Sequence, residues 1–302
     1  MSGAPTVAAL DIGGTSIKAG LVRDGALLWT EEFPTDAKRG GEAVMRKAEE
    51  ILASMGSFDR IGISTAGQVD SLGGFLRFAN DNIPGYTGMQ VRQRMEDRFG
   101  LPTAVENDVN CAALGEARYG AGRGERDFLC LTYGTGIGGG IIVGGRLYTG
   151  SSFSAGEVGH IVTHAGGLPC TCGGCGCYEC YASVTALVRE AQKLSPDLSS
   201  GRVIFSRKDE PGVQALIDRW ADEIVWGLVS LTPTLNPSLI LRGGGVMQQQ
   251  TLVELLRRKL HDRLMPSYRH VQLKAAELGN TAGMLGAAAL ALEKDFLGPF
   301  TG

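Results

Sequence analysis

Four groups of residues have the types and spacing to do chemistry. Asp11-Ile12-Gly13-Gly14-Thr15 directly follows an apolar run. Paired glycines and a threonine at a strand end can turn backbone N–H groups and a hydroxyl toward phosphate oxygens, forming an anion-binding nest. Asp11 can hold a magnesium ion there, directly or through water. The second group, Gly134-Thr135-Gly136-Ile137-Gly138-Gly139-Gly140, places Gly134, Gly136 and Gly139 on the G-x-G-x-x-G spacing of dinucleotide sites. That fingerprint opens a helix and is followed about 20 residues later by an acid. Glu157 lies near that distance, but Ile141-Ile142-Val143 continues as strand into Gly144-Gly145. The segment therefore reads as a second phosphate-binding hairpin. No Gly-Lys dipeptide occurs, which removes the P-loop reading.

The third group, Glu106-Asn107-Asp108, falls where a strand gives way to a helix. A carboxylate at such a point can accept the proton of a hydroxyl that attacks a phosphoryl group. An N-cap aspartate is the plain alternative. The fourth is His160 with Cys170, Cys172 and Cys177. One imidazole and three thiolates make a closed tetrahedral zinc site, which suits a structural metal. Cys175 and Cys180 leave the choice of ligands open. His164 follows His160 at helical spacing, but the glutamate of H-E-x-x-H is absent. Glu157, His160 and Glu179 flank the cysteines. Polar side chains held by a rigid metal loop suit hydrogen bonding to several sugar hydroxyls. A solvated surface acid is the alternative for either glutamate alone. Cys111 and Cys130 sit in apolar surroundings and read as core residues.

The elements that must position these groups follow from pattern. Val7 to Ile12 reads as a buried strand, and Asp24-Gly25 as a hairpin turn between Ile17–Val22 and Ala26–Phe33. Glu42 to Met55 has helical periodicity and ends at Gly56 as a C-cap. Ile61–Ser64 is a strand, Met89–Phe99 a helix stopped by Gly100, Pro102–Val105 a strand and Val109–Tyr119 a helix. The theme then repeats: strand Phe128–Tyr133, a glycine loop from Gly134 to Gly140, and a hairpin reaching Tyr148. Helix Val213–Thr232, strand Leu239–Leu241, the triple glycine Gly243 to Gly245, helix Gln250–Leu264, strand Val271–Ala275 and helix Ala282–Asp295 complete the chain. Two halves opening alike suggest an internal duplication divided near Glu106, and a cleft between two α/β halves is a usual ligand site. The last helix is expected to pack back on the first half.

The 302 residues suffice for two domains. A net charge of -3 argues against binding nucleic acid by blanketing phosphates, and no apolar run approaches the ~18 residues of a membrane span. Met1 to Pro5 has no basic region, so no secretory leader is expected and the protein is read as cytoplasmic. Five of the seven cysteines crowd into Cys170 to Cys180, a metal-binding rather than a disulfide pattern in that compartment. Several of the 45 glycines are grouped at strand ends, where positive φ or close approach to a ligand is expected of them.

In order and in type, these motifs resemble those of the ROK family (repressors, open reading frames, kinases). The resemblance runs from about Val7 to about Ala288. It includes Glu157-Val158-Gly159-His160, the run from Cys170 to Glu179, Ile63 to Asp70 and Leu278 to Gly283. It implies a two-domain, actin-like ATPase (ribonuclease H-like) α/β fold with a duplicated core and a zinc knuckle. Residues 1–106 with 282–302 would form a small domain and 107–281 a large one carrying the zinc loop. It further implies an ATP- and magnesium-dependent kinase acting on the 6-OH of glucose or a related hexose or N-acetylhexosamine. Asp108 corresponds to the catalytic base. Asn107, Asp108, Glu157, His160 and Glu179 correspond to the sugar contacts, and His160, Cys170, Cys172 and Cys177 to the zinc ligands. Gly243, Gly244 and Gly245 resemble the adenosine-side turn, and the ATP and phosphate set is Asp11, Gly13, Gly14, Thr15, Lys18, Gly134, Thr135, Gly136 and Gly138 with that turn. A homodimer is expected from the family. Two departures are Cys175, and Ala66 where a proline often precedes the glycine. A sugar-responsive repressor needs a DNA-binding helix-turn-helix ahead of the first phosphate motif, and only ten residues precede Asp11. A nicotinamide-dependent oxidoreductase rests on Gly134, Gly136 and Gly139 alone.

Overall fold

The computed structural model describes residues 4–292. Residues 293–295 of the expected last helix, and Met1 to Gly3, lie outside the described residues. The chain forms two compact units. The first takes residues up to Arg126, 140–155 and those from Glu277 onward, and the second takes 127–139 and 156–276. The division expected near Glu106 thus falls about one helix later.

The first unit is built on five strands: β1 (Val7–Ile12), β2 (Ser16–Arg23), β3 (Ala26–Pro34), β4 (Arg60–Thr65) and β7 (Thr103–Asn107), in the order β3-β2-β1-β4-β7. β1 is antiparallel to β2, β2 is antiparallel to β3, and β4 runs parallel to both β1 and β7. The apolar run of β1 is nearly all buried, as a central strand covered on both faces requires. Asp24 and Gly25 both have positive φ, the geometry of a tight hairpin turn. Helix α1 (Gly41–Ser54) contributes Val44, Met45 and Leu52 to a core with Leu10, Ile12, Ile61 and Ile63. Its C-cap is Met55, at φ −83°, and Gly56 is not in the left-handed region. The short strands β5 (Gln68–Asp70) and β6 (Phe75–Phe78) form a separate hairpin that the periodicity did not predict. Helix α2 (Val91–Phe99) ends at Gly100, whose φ of 66° closes it as expected.

On the other face of the sheet, Val7, Ala9 and Val22 pack with Met284, Leu285 and Ala288 of the final helix, α9 (Ala282–Leu292). Helix α3 (Asp108–Tyr119) lies against α9 at glycine contacts. A Cβ on Gly115 would come 2.5 Å from the Ala282 carbonyl, and one on Gly286 would collide with the Cys111 carbonyl. This contact keeps α3 in the first unit.

The second unit repeats the plan. Strands β8 (Phe128–Tyr133), β11 (Leu239–Gly243) and β12 (Gln272–Ala275) are parallel, and β9 (Ile137–Val143) flanks β8 before leaving the unit at Gly140. Ile142 and Val143 then pair with the short β10 (Arg146–Leu147) in the first unit. The glycine loop is therefore only Gly134 to Gly136, shorter than expected, because Ile137 already begins β9. Short helices α4 (Glu179–Ala182), α5 (Val184–Gln192) and α6 (Gly201–Ser206) follow, none of them predicted. The long α7 (Pro211–Leu235) starts with proline at its first turn and stops at Asn236 in the left-handed region. It packs on α8 (Gln250–Arg263). Tyr178 wedges under α7, where Gly227 leaves room for its ring. Among the described residues no helix is long and apolar enough to cross a membrane.

The α3–α9 contact makes a direct prediction. Alanine at Gly286 gains about 1 kcal/mol of helix propensity, yet overpacking costs about 1–3 kcal/mol. Gly286→Ala is expected to lower the urea midpoint, and an unchanged or higher midpoint would show that α3 and α9 can separate freely.

Candidate active site

In the first unit, Asp11 sits at the end of β1. Ser64 donates its hydroxyl hydrogen to Asp11 Oδ1 at 2.6 Å, and Lys18 Nζ stands 3.6 Å from Oδ2. A Cβ on Gly283 would come 2.8 Å from Oδ1, so any larger residue there would push on this carboxylate. The turn after Asp11 differs from the nest expected. The Gly13 N–H donates to the Ser16 carbonyl at 2.9 Å, and the Gly13 carbonyl accepts from Thr35 Oγ1 at 2.7 Å. The exposed part of the turn is Gly14 and Thr15. Neither Gly13 nor Gly14 has positive φ.

Asn107 ends β7 and caps α3. Its Oδ1 accepts from the N–H groups of Val109 at 2.9 Å and Asn110 at 3.1 Å. The cap is thus Asn107, not the aspartate beside it. Its Nδ2 donates to the Gly67 carbonyl and to Asp108 Oδ1, both at 2.9 Å. Asp108 Oδ1 accepts a further bond from the Val109 N–H at 2.9 Å. Part of Asp108 reaches solvent, but burial of its carboxyl is the first cause lifting it to about 6, and the nearby Asp11 charge adds to this. One residue upstream, Glu106 is buried, which nothing in the sequence pattern signals.

In the second unit, Gly134 to Gly136 links β8 to β9, a strand, so the helix demanded by a dinucleotide fingerprint is absent. The Gly134 N–H donates to the Gly136 carbonyl, and the Gly134 carbonyl accepts from the Val184 N–H, both at 3.0 Å. Thr135 is exposed. Gly244 has a φ of 115°, and a Cβ there would strike the Tyr133 carbonyl. The Gly243–Gly245 turn is thereby seated against the end of β8, next to the Gly134–Gly136 loop. Gly243 and Gly245 are outside the positive-φ region. The buried Arg242 donates through Nη1 to the Met247 carbonyl just beyond this turn, and burial pushes its guanidinium down to about 10. Composition gave no sign of it.

The ligating atoms of His160, Cys170, Cys172 and Cys177 all lie within 4.8 Å of one another. Cys170 Sγ is 3.6 Å from His160 Nδ1, and Cys172 Sγ is 3.6 Å from Cys177 Sγ. Cys180 Sγ instead points to the Pro169 carbonyl at 3.7 Å, and Cys175 is exposed. Burial, then the neighbouring thiols, push Cys177 up to about 12, while the Gly174 N–H first among several donors lowers the exposed Cys172. Glu179, at the start of α4, joins this cluster to the glycine loop. Its Oε1 lies 3.4 Å from Cys170 Sγ and 3.8 Å from His160 Nδ1, and its Oε2 accepts from the Ile137 N–H at 3.4 Å. Glu157 Oε2 lies 4.0 Å from the other ring nitrogen of His160. His164 lies outside this set, stacked on Tyr181 and 3.5 Å from Glu223.

Repeated mixed sheets with glycine turns after their first strands define an α/β fold of the actin-like ATPase class. The ROK family profile matches residues 7–294. A glucokinase from Streptomyces coelicolor is 37% identical, over 95% of this chain and 97% of its own. The crystal structure of a ROK hexokinase from Thermus thermophilus superposes with a TM-score of 0.84 at 35% identity, covering 97% of this chain and 100% of that one. A ROK glucokinase from Streptomyces griseus, in complex with glucose and AMPPNP, gives 0.83 at 35% identity, covering 95% and 99%. The chain belongs to the ROK family. It is an ATP-dependent sugar kinase.

The capping geometry carries its own prediction. Asn107→Ala removes the α3 cap, which is expected to cost about 1 kcal/mol of stability. A urea melt with an unshifted midpoint would mean that the cap bonds are not formed in solution.

Proposed function

We propose that the enzyme transfers the γ-phosphate of ATP to the 6-OH of glucose or of a related hexose or N-acetylhexosamine. The observation that carries this reading is Asp108. Two donors fix Oδ1, so the second oxygen is the one offered to a sugar hydroxyl. A carboxyl raised to about 6 is still ionised at neutral pH and is a better base than an ordinary aspartate. It takes the hydroxyl proton as the oxygen attacks the phosphoryl group. Asn107 holds this base, and Asn107, Glu157, His160 and Glu179 are assigned to the other sugar hydroxyls.

Gly14 and Thr15 on one unit, and the Gly134–Gly136 loop with Thr135 and Gly138 on the other, are assigned to the phosphates, with Gly243 to Gly245 on the adenosine side. Lys18 and Ser64 hold Asp11 as the residue that would receive magnesium, whose charge would offset that of the transferring phosphoryl group. The glucose carried by the Streptomyces griseus relative supports a hexose as acceptor. We assign zinc to His160, Cys170, Cys172 and Cys177. Burial and the neighbouring thiols resist ionising Cys177, and a divalent cation would remove that conflict. With four protein side chains available to fill its coordination, a zinc ion held there would have a structural role and would fix the loop that carries His160, next to Glu179 at the start of α4. We further assign the protein to the cytoplasm and to a homodimer.

Mixing the protein with ATP, magnesium and a panel of hexoses tests the reaction. ADP release is expected to depend on sugar and to rank glucose or an N-acetylhexosamine highest. Release at the same rate without sugar would refute the assignment. The acid side tests Asp108. Protonation removes the base, so kcat/KM should fall tenfold per unit below about pH 6. A profile flat down to about pH 5 would point to an unperturbed carboxylate or another base. For the metal, protein purified without chelator should carry one zinc per chain, and Cys172→Ala should raise sugar KM more than ATP KM. Zinc-free protein with full activity would rule the site out.

A further inference from the structure

Glu106 lies outside the residues assigned to substrate, yet it is among the most enclosed acids of the first unit. Its side chain is 1% exposed. Oε1 accepts two bonds, from the Asn107 N–H at 2.7 Å and from Asn110 Nδ2 at 3.1 Å. Both partners belong to the start of α3, and Asn107 in turn holds Asp108. The other half of the carboxyl is different. Glu106 Oε2, Asn110 Oδ1 and Ser71 Oγ are all buried with no hydrogen-bond partner among the described residues. Glu106 Oε2 as a carboxylate, and Asn110 Oδ1, can only accept. Among these three oxygens the one hydroxyl hydrogen is that of Ser71, which lies close enough to Glu106 to act on its carboxyl as a weak donor. Leaving such groups unpaired costs about 1–3 kcal/mol each.

A single added proton resolves the deficit. On Oε2 it turns Glu106 into a donor toward Asn110 or Ser71, while Oε1 keeps its two bonds. The geometry points to Glu106 as a neutral carboxylic acid that clamps the start of α3 and so serves as the positioning residue for Asp108. This rests on the proposed role of Asp108 as base. The residue joins three separate stretches of chain: Ser71 after β5, the end of β7, and the first turn of α3.

The surroundings favour the neutral form. Burial is the largest cause raising Glu106, to about 7, with the Asp70 charge adding; Asn107, Asn110 and the nearby Ser71 oppose it. Among the elements packed against β7, α3 brings Asp108 and Cys111, and β5 brings Asp70. Arg92 and Glu96 of α2 bind Thr103 at the opposite end of the strand, and Arg92 also donates to the Ser71 carbonyl at 2.5 Å. α9 carries no ionisable side chain within its described residues, and β4 presents Ser64 opposite Glu106. No cation bonds the Glu106 carboxyl among the described residues.

Infrared spectroscopy of protein labelled with ¹³C-glutamate reads the proton directly, without assuming anything about Asp108. At about pH 6.5, where an ordinary glutamate is ionised, a label-shifted protonated-carboxyl band is expected. It should vanish in Glu106→Gln and persist in Glu223→Gln, the other glutamate raised by burial. No band, or a band lost with Glu223, would overturn the proposal and leave an ionised Glu106. Kinetics read the consequence. Glu106→Gln keeps both a donor and an acceptor, so its kcat should stay within about threefold of the wild type near pH 6.5. Glu106→Leu should lose about 10- to 100-fold through misplacement of Asp108. The wild type should lose kcat/KM as pH rises through about 7, and Glu106→Gln should lack that alkaline limb while keeping the acid one. A Gln variant as impaired as the Leu variant would show that the charge, not the proton, is required. If instead the band and the Glu106 pattern hold but Asp108 proves not to be the base, only the catalytic assignment fails.

Discussion

The amide of Asn107 is the interaction on which the rest of the site depends. One side-chain oxygen closes the first turn of α3, and one side-chain nitrogen holds the Asp108 carboxylate. Helix start and proposed base are thereby set by the same group. A base must sit within hydrogen-bond reach of the proton it takes. A carboxylate on a two-bond side chain does not hold that position unaided. The same amide also ties the pair to the Gly67 carbonyl, so the loop after β4 is registered on the end of β7.

Behind this point the fold supplies rigidity through backbone contact. Gly115 and Gly286 let α3 and α9 meet without side chains between them, and Gly283 lets α9 start directly over Asp11. The placement of Asp11 and the placement of α3 thus share one helix as support. The second unit uses a different device. There the stretch between His160 and Tyr178 has little regular structure, and the side chains of His160, Cys170, Cys172 and Cys177 cluster within it. Glu179 bridges this cluster and the start of β9 just after the Gly134–Gly136 loop, so metal geometry would set both.

Much of this is legible in the residues. β1 and β8 are continuous apolar runs ending in glycine turns, and both sit centrally in their sheets, as that pattern demands. Asp24-Gly25 and Gly100 take the conformations their types favour. The four residues with metal-ligand spacing come together in one cluster. What escapes is non-local. Glu106 reads as an ordinary acid until Ser71 and Asn110, distant from one another in sequence, enclose it. Arg242 in an apolar strand gives no hint that it holds the Met247 carbonyl. The short β5–β6 hairpin has too few residues for a period to show. Residue type alone favours positive φ at Gly13, Gly14 and Gly134, but none of the three takes it, and at Gly14 and Gly134 an added Cβ would meet nothing within 4 Å.

In the proposed reaction, Asp108 converts a bound sugar hydroxyl into a nucleophile. Transfer of labelled γ-phosphate from ATP to hexose, followed in a single turnover with Asp108→Asn beside the wild type, tests it most directly. The variant is expected to fold and bind ATP as the wild type does, yet to transfer label about 10²–10⁴-fold more slowly. Transfer within about threefold of the wild-type rate would contradict it.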